Sequence, residues 1–218
     1  MAERIHRYAG QQIEVTYDAK RCTHAAECVR GLPQVFDTAV TPWVKPDNAG
    51  ADRVAEVILR CPTGALHFRR RDGGAEETTP ATNCVRIEPN GPLYLRGEIR
   101  IEDEKGKTII AETRVALCRC GATKRMPFCD GSHRKAGFRD AGVLPEQARS
   151  DAAEMTASGE VAIVPSTDGP LLVTGVVEIS GGDSSTAIKK DPTFCRCGAS
   201  GSKPFCDGSH HRVHFKSA

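Results

Sequence analysis

Apolar and polar positions divide this chain into short elements. Ile13 to Tyr17 alternates with a period of two, as a half-buried strand does. His24 to Leu32 suits a short helix, and Asp52 to Arg60 repeats its apolar residues with helical spacing. Alternation returns from Arg96 to Ile101, followed by the turn Glu104-Lys105-Gly106 and a β-branched run from Thr108 to Ala116. Leu171 to Ile179 reads as a further strand, with Gly181-Gly182-Asp183 as its turn. These elements predict an α+β chain: a small α+β domain over residues 1–72, then a mostly-β unit.

Self-comparison of the second half finds a repeat. Residues 118–138 read CRCGATKRMPFCDGSHRKAGF and residues 195–215 read CRCGASGSKPFCDGSHHRVHF, 77 positions later. The match reaches upstream, where Asn-Gly-Pro-Leu (90–93) answers Asp-Gly-Pro-Leu (168–171). Each unit is a Gly-Pro turn, a β-hairpin and a cysteine motif, giving repeats over 80–140 and 159–218. Residues 141–158 form the connector, part of a polar Ala/Ser/Glu-rich stretch from 139 with room for a short surface helix.

Composition narrows the classes of function. Hydrophobic residues make up 39% and aromatics 5%, while Gly 21 and Pro 13 point to turns and short elements. Such modules are often held by something other than a large apolar core. A net charge of +2 gives no reason to expect nucleic acid. The first residues, Met-Ala-Glu-Arg-Ile-His-Arg-Tyr, lack the apolar stretch of a secretory signal, and no run is long enough to span a bilayer. The expected compartment is therefore the cytoplasm, where ten cysteines favour metal over disulfides.

The spacing of the cysteines suggests how metal would be held. Cys118 and Cys120 can clamp one iron, Pro127 turns the chain back, and Cys129 and His133 can grip a second from one face of a helix starting at Asp130-Gly131-Ser132. The helix N-terminus would favour an anionic ligand, and Thr123 and Ser200 could donate hydrogen bonds to cluster sulfur. Cys195, Cys197, Cys206 and His210 repeat the set, with Asp207, Gly208 and Ser209 after the third cysteine. Three cysteines and a histidine also make a tetrahedral zinc site. A Cys-x-Cys pair is tighter than the usual zinc knuckle, so spacing favours 2Fe–2S and leaves zinc open.

Both copies resemble the CDGSH iron–sulfur signature of the NEET family: Cys-x-Cys, two residues, Ser/Thr, three residues, Pro, one residue, then Cys-Asp-Gly-Ser-His. Every motif position is filled twice. The resemblance implies one 2Fe–2S cluster per motif, ligated by three Cys and one His. It also implies a monomer whose halves fold with pseudo-twofold symmetry into one unit, as a β-cap with two cluster-binding hairpins.

The N-terminal third carries Cys22, Cys28 and Cys61. Laid over Cys22, the ferredoxin run Cys-x2-Cys-x2-Cys-x3-Cys-Pro puts Ala25 at the second cysteine and Cys28 at the third, and Cys61-Pro62 supplies a remote ligand. Residues 1–72 thus resemble the divergent single-cluster, ferredoxin-like domain that often precedes CDGSH motifs. Three thiolates suit 3Fe–4S, or 4Fe–4S with a borrowed ligand, for which His24 is the nearest candidate. Cys84 is expected to be a free thiol, and Trp43, Phe36 and Phe68 to be core.

The expected function is electron transfer by a protein that is not an enzyme, since no nucleotide loop, nucleophile motif or acid–base pair is found. The expected partner is a reductase or acceptor protein, or an apo iron–sulfur protein, with no nucleic acid and no membrane. Lys124, Arg125, Arg134 and Lys135 beside one motif, and Lys203, His211 and Arg212 beside the other, offer either a docking face for an acidic partner or solvated charges. The alternatives are cluster storage or transfer, redox or pH sensing through the histidine ligands, and a zinc-held interaction module.

Overall fold

The computed structural model describes residues 5–148 and 155–217. The chain forms two compact units, Met1–Thr78 and Thr79–Ala218. Among the described residues no helix is long and apolar enough to cross a membrane.

The first unit is a three-stranded antiparallel sheet in the order β1 (Ile5–Ala9), β2 (Ile13–Asp18), β3 (Leu66–Arg70). Ile13 and Val15 of β2 are buried, while Glu14 between them is bound by Arg7 and Arg71. Helix α2 (Ala51–Leu59) buries Ala51, Val54, Ala55 and Ile58, a one-sided stripe set by the helical repeat. Its bounds lie one residue from those expected. Helix α1 is shorter than the expected 24–32 and spans only Glu27–Gly31. His24 and Ala26 have φ of 56° and 64°, left-handed values that no α-helix accepts.

The second unit is an eight-stranded mixed sheet. Its first repeat contributes β4 (Cys84–Ile87), β5 (Leu93–Glu102) and β6 (Thr108–Leu117). The second contributes β7 (Val161–Pro165), β8 (Leu171–Thr174), β9 (Val176–Ser180), β10 (Thr186–Lys190) and β11 (Thr193–Phe194). Each repeat's opening strand pairs twice. β4 runs antiparallel to β5 and parallel to β9, and β7 runs antiparallel to β8 and parallel to the far end of β5. The repeats thereby exchange strands in a reciprocal, pseudo-twofold way. Val85, Leu95, Ile101, Val161, Ile163 and Ile179 pack the shared core.

The expected single strand from Leu171 to Ile179 is broken at Gly175, whose φ is 123°. Its counterpart Gly97 (φ 151°) bends β5, and a Cβ there would lie 2.1 Å from Asn83 Oδ1. Asn83 uses the space: Glu98 N–H donates to its Oδ1 at 3.1 Å, and its Nδ2 donates to the Gly159 carbonyl at 2.7 Å. Residues 149–154 of the connector lie outside the described residues, and Glu146–Ala148 forms a short 3-10 turn before them.

Candidate metal centres

The end of each hairpin positions the first cysteine pair. In the first repeat, Cys118 N–H donates to Pro127 O and Cys129 N–H to Ala116 O, both at 2.9 Å. These bonds fold the Pro127 segment back along the end of β6. In the second, Cys195 N–H reaches Pro204 O at 2.8 Å and Cys206 N–H reaches Thr193 O at 3.0 Å. The ligands come in pairs. Cys118 and Cys120 sulfurs are 3.6 Å apart, and Cys129 Sγ is 3.4 Å from His133 Nδ1. The counterparts are 3.7 Å for Cys195–Cys197 and 3.4 Å for Cys206–His210.

A main-chain amide points at one sulfur of each ligand pair, two in each copy: Ala122 N–H at Cys120 and Gly131 N–H at Cys129, then Ala199 N–H at Cys197 and Gly208 N–H at Cys206, all at 3.4–3.5 Å. Such donors favour anionic sulfur, whether thiolate or metal-bound. The sulfur of Cys118 shares a proton with Cys120, which draws its pKa down to about 6 and pushes that of Cys120 up. Burial raises Cys129 to about 11 and lowers His133, keeping the imidazole neutral, the form that binds metal. His210 is lowered for the same reason.

Two expectations need correction. The segment after Cys129 is a series of turns rather than a helix, and the second copy has only α3 (Ser209–Arg212), four residues long. Gly131 and Gly208, with φ of 86° and 83°, supply the turn, and their own amides are the ones aimed at the Cys129 and Cys206 sulfurs. The Thr123 and Ser200 hydroxyls do not point their protons at sulfur. They donate to Phe128 O (2.8 Å) and Phe205 O (2.7 Å), bracing the loop instead. Asp130 accepts from Lys124 and Ser132 amides, and despite the cost of burial these bonds hold its pKa at about 2. Asp207 does the same with Gly201 and Ser209 amides, which depress its pKa.

The loops of the two motifs meet back to back. A Cβ on Gly121 would lie 2.8 Å from Cys197 O, and one on Gly198 would lie 3.0 Å from Cys120 O. Both glycines have positive φ, so the Cys-x-Cys-Gly sequence permits this close approach twice. Cys84 lies apart from the motifs on β4, its thiol directed at Thr82 O and its pKa raised by burial. Lys124, Arg125, Arg134, Lys135, His211 and Arg212 are exposed, and Lys203 is half-buried against Ser200 O.

In the N-terminal unit Cys22, Cys28 and Cys61 line one cavity of about 30 Å³, together with Ala25, Tyr17, Trp43 and Thr63. Burial raises Cys28 to about 11, with the charges of Cys61 and Cys22 adding to the effect. Burial and a hydrogen bond with Cys22 raise Tyr17. His24 does not line this cavity. It lies on the neighbouring groove, with its backbone N–H donating to Cys22 Sγ at 3.4 Å. Phe36 and Phe68 are core, and Trp43 packs half-buried against that core while also lining the cavity, its ring edge-on to Tyr17 at 4.9 Å. The places of Tyr17 and Trp43 on this wall were not legible locally, because the strand and loop around them carry no cysteine, whereas Thr63 follows directly on Cys61-Pro62. All ten cysteines are free.

The donor chemistry fits iron–sulfur ligation: thiols and neutral imidazoles, with amides directed at sulfur. Comparison with known proteins agrees. A family model for a divergent 4Fe–4S mono-cluster matches residues 8–71. Another, described as an iron-binding zinc finger of CDGSH type, matches residues 90–134 and again 168–211. The uncharacterized protein YjdI of Escherichia coli K12 is 38% identical over 64 residues, which cover 29% of this chain and 84% of that protein. YjdI of Escherichia coli O157:H7 gives the same values. No solved structure matches the chain.

Proposed function

Because this chain belongs to the CDGSH iron-binding family, as a tandem member with an N-terminal divergent 4Fe–4S mono-cluster domain, we propose that it is a multi-cluster electron carrier rather than an enzyme. Cys118, Cys120, Cys129 and His133 would hold one 2Fe–2S cluster, and Cys195, Cys197, Cys206 and His210 a second. Cys22, Cys28 and Cys61 would hold a 3Fe–4S or 4Fe–4S cluster. When bound, a 2Fe–2S group with one imidazole ligand accepts and returns a single electron at a higher potential than an all-thiolate one.

The observation that carries this reading is the back-to-back contact at Gly121 and Gly198. It sets the inner ligands Cys120 and Cys197 beside each other, so an electron received at either motif has the other within reach. Pairing of the donors supports two irons per motif over one zinc. The exposed Lys124, Arg125, Arg134 and Lys135 suit an acidic redox partner met by a monomer in the cytoplasm.

Anaerobic reduction by a flavoprotein reductase tests the reading. Full bleaching with all iron retained, reversed by an oxidised acceptor, is the expected result. Iron moving to an apo-ferredoxin faster than electrons move would overturn it. One observation favours that second reading, cluster donation: Cys206 and His210 are only partly buried, so the second motif is open to an acceptor.

A further inference from the structure

Each motif places an arginine between its first two cysteines, and the two arginines are nearly superimposable in their contacts. Arg119 Nε donates to Gly91 O and Arg196 Nε to Gly169 O, both at 2.9 Å. Their other nitrogens reach Glu88 O and Ser166 O. The guanidinium carbons lie 5.3 Å from the Phe138 ring and 5.4 Å from the Phe215 ring. Both side chains are buried, with Arg119 at 1% exposure and Arg196 at 3%.

They differ in charge balance. Arg119 forms an ion pair with Asp140 at 2.5 Å, whose side chain is 16% exposed. The residue 77 positions after Asp140 is Ser217, and among the described residues Arg196 has no ion pair. Two carboxylates, Asp168 and Glu104, act on Arg196 but are engaged elsewhere. Asp168 binds Lys216 and Ser217, and the exposed Glu104 accepts from Thr167. Both are more exposed than Asp140, so water screens more of their charge. Buried guanidinium charge is screened far less. Arg196 acts electrostatically on His210 of its own motif and, across the contact, on Cys118 of the other. Arg119 acts on His133, with Asp140 cancelling much of its charge.

We propose that Arg196 is a positioning residue for charge, making the second motif the preferred electron site of the pair, while the Arg119–Asp140 ion pair holds the first motif lower. The greater exposure of Cys206 and His210 works in the same direction, since water stabilises the added negative charge. Because Arg196 acts on both motifs, the preference is the difference of the two actions, and its upper bound, one buried charge at about 10 Å and an effective dielectric of about 20, is on the order of tenfold. For a one-electron couple that is about 59 mV. Arg196 also reaches the first motif, through one ligand, whereas its own backbone lies between Cys195 and Cys197.

The inference rests on each motif holding a 2Fe–2S cluster, and the test separates the two ideas. A potentiometric titration of the full-length holoprotein, followed by EPR with a one-electron chemical reductant, should show two resolved histidine-ligated steps. His210→Cys identifies the second motif, since its step alone should move down. Asp140→Asn should raise the lower step, and Ser217→Asp should pull down the upper one, each narrowing the gap. Should Asp140→Asn lose iron, Ser217→Asp carries the test alone. Coincident steps in the unmodified protein, or variants with full iron content and an unchanged gap, overturn this inference and leave the electron-carrier reading standing. Absence of any 2Fe–2S signal overturns both.

Discussion

In the first motif Cys129 and His133 are 3% and 7% exposed, whereas their counterparts Cys206 and His210 are half-buried. Ligand types, loop bonds and the cysteine-flanking arginines match, yet one guanidinium is ion-paired with Asp140 while, among the described residues, the other has no ion pair. The difference separates two jobs that a motif does. Cysteine and histidine identity decides what can be bound, and the residues around them decide how firmly it is held and at what potential. A duplicated module can keep the first property in both copies while the second drifts apart.

The largest effect on this comparison should come from removing a ligand. Cys118→Ser and Cys195→Ser should each cost about two irons per chain and the visible absorbance of that motif alone. Loss of both clusters in either variant, measured by iron analysis, would mean that the copies do not bind independently. Next comes the contact between them. Gly121→Ala sets a Cβ against Cys197 O at a positive φ and should destabilise the holoprotein by roughly 1–3 kcal/mol in denaturant unfolding. Gly208→Ala, with open space around its Cβ, should cost less, because only its φ of 83° is at stake. Equal losses would remove the back-to-back contact as an energetic feature.

Acid should then separate the copies. Burial lowers both histidine pKa values from 6.5, so the folded state binds fewer protons than the unfolded chain. Stability from the neutral imidazoles is therefore present above pH ~6.5 and is lost as pH falls through their depressed values. The more open His210 should release first. Absorbance at falling pH should decay in two phases, and His210→Cys should abolish the earlier one. A single phase retained in that variant would contradict the burial difference. The smallest effect expected is on potential: His133→Cys should keep its cluster and shift it lower, as replacing imidazole by thiolate adds negative charge.

Much of the binding chemistry was legible in the chain itself. Cys-x-Cys, Pro, and Cys-Asp-Gly-Ser-His occur twice, and ligand spacing is a local property. Local signals also placed α2 within a residue and marked both hairpin turns. They failed where backbone conformation or distant partners decide. His24 and Ala26 turn left-handed and shorten α1, although their side chains carry no breaker signal. Gly97 and Gly175 bend their strands to let β4 and β7 cross between repeats, a pairing that alternation along one strand does not encode. Thr123 and Ser200 spend their protons on carbonyls that become neighbours only after the loop closes. The charge difference between Arg119 and Arg196 depends on residue 140 against residue 217, outside the matched motif.

The central claim is that these cysteine and histidine sets hold iron–sulfur clusters rather than zinc, and metal analysis of the anaerobically purified full-length chain tests it most directly. Two 2Fe–2S motifs and the N-terminal centre should give about seven irons per chain if that centre is 3Fe–4S, or about eight if it is 4Fe–4S, with matching acid-labile sulfide and visible absorbance. Zinc at about one per motif, in a colourless protein without sulfide, would contradict it.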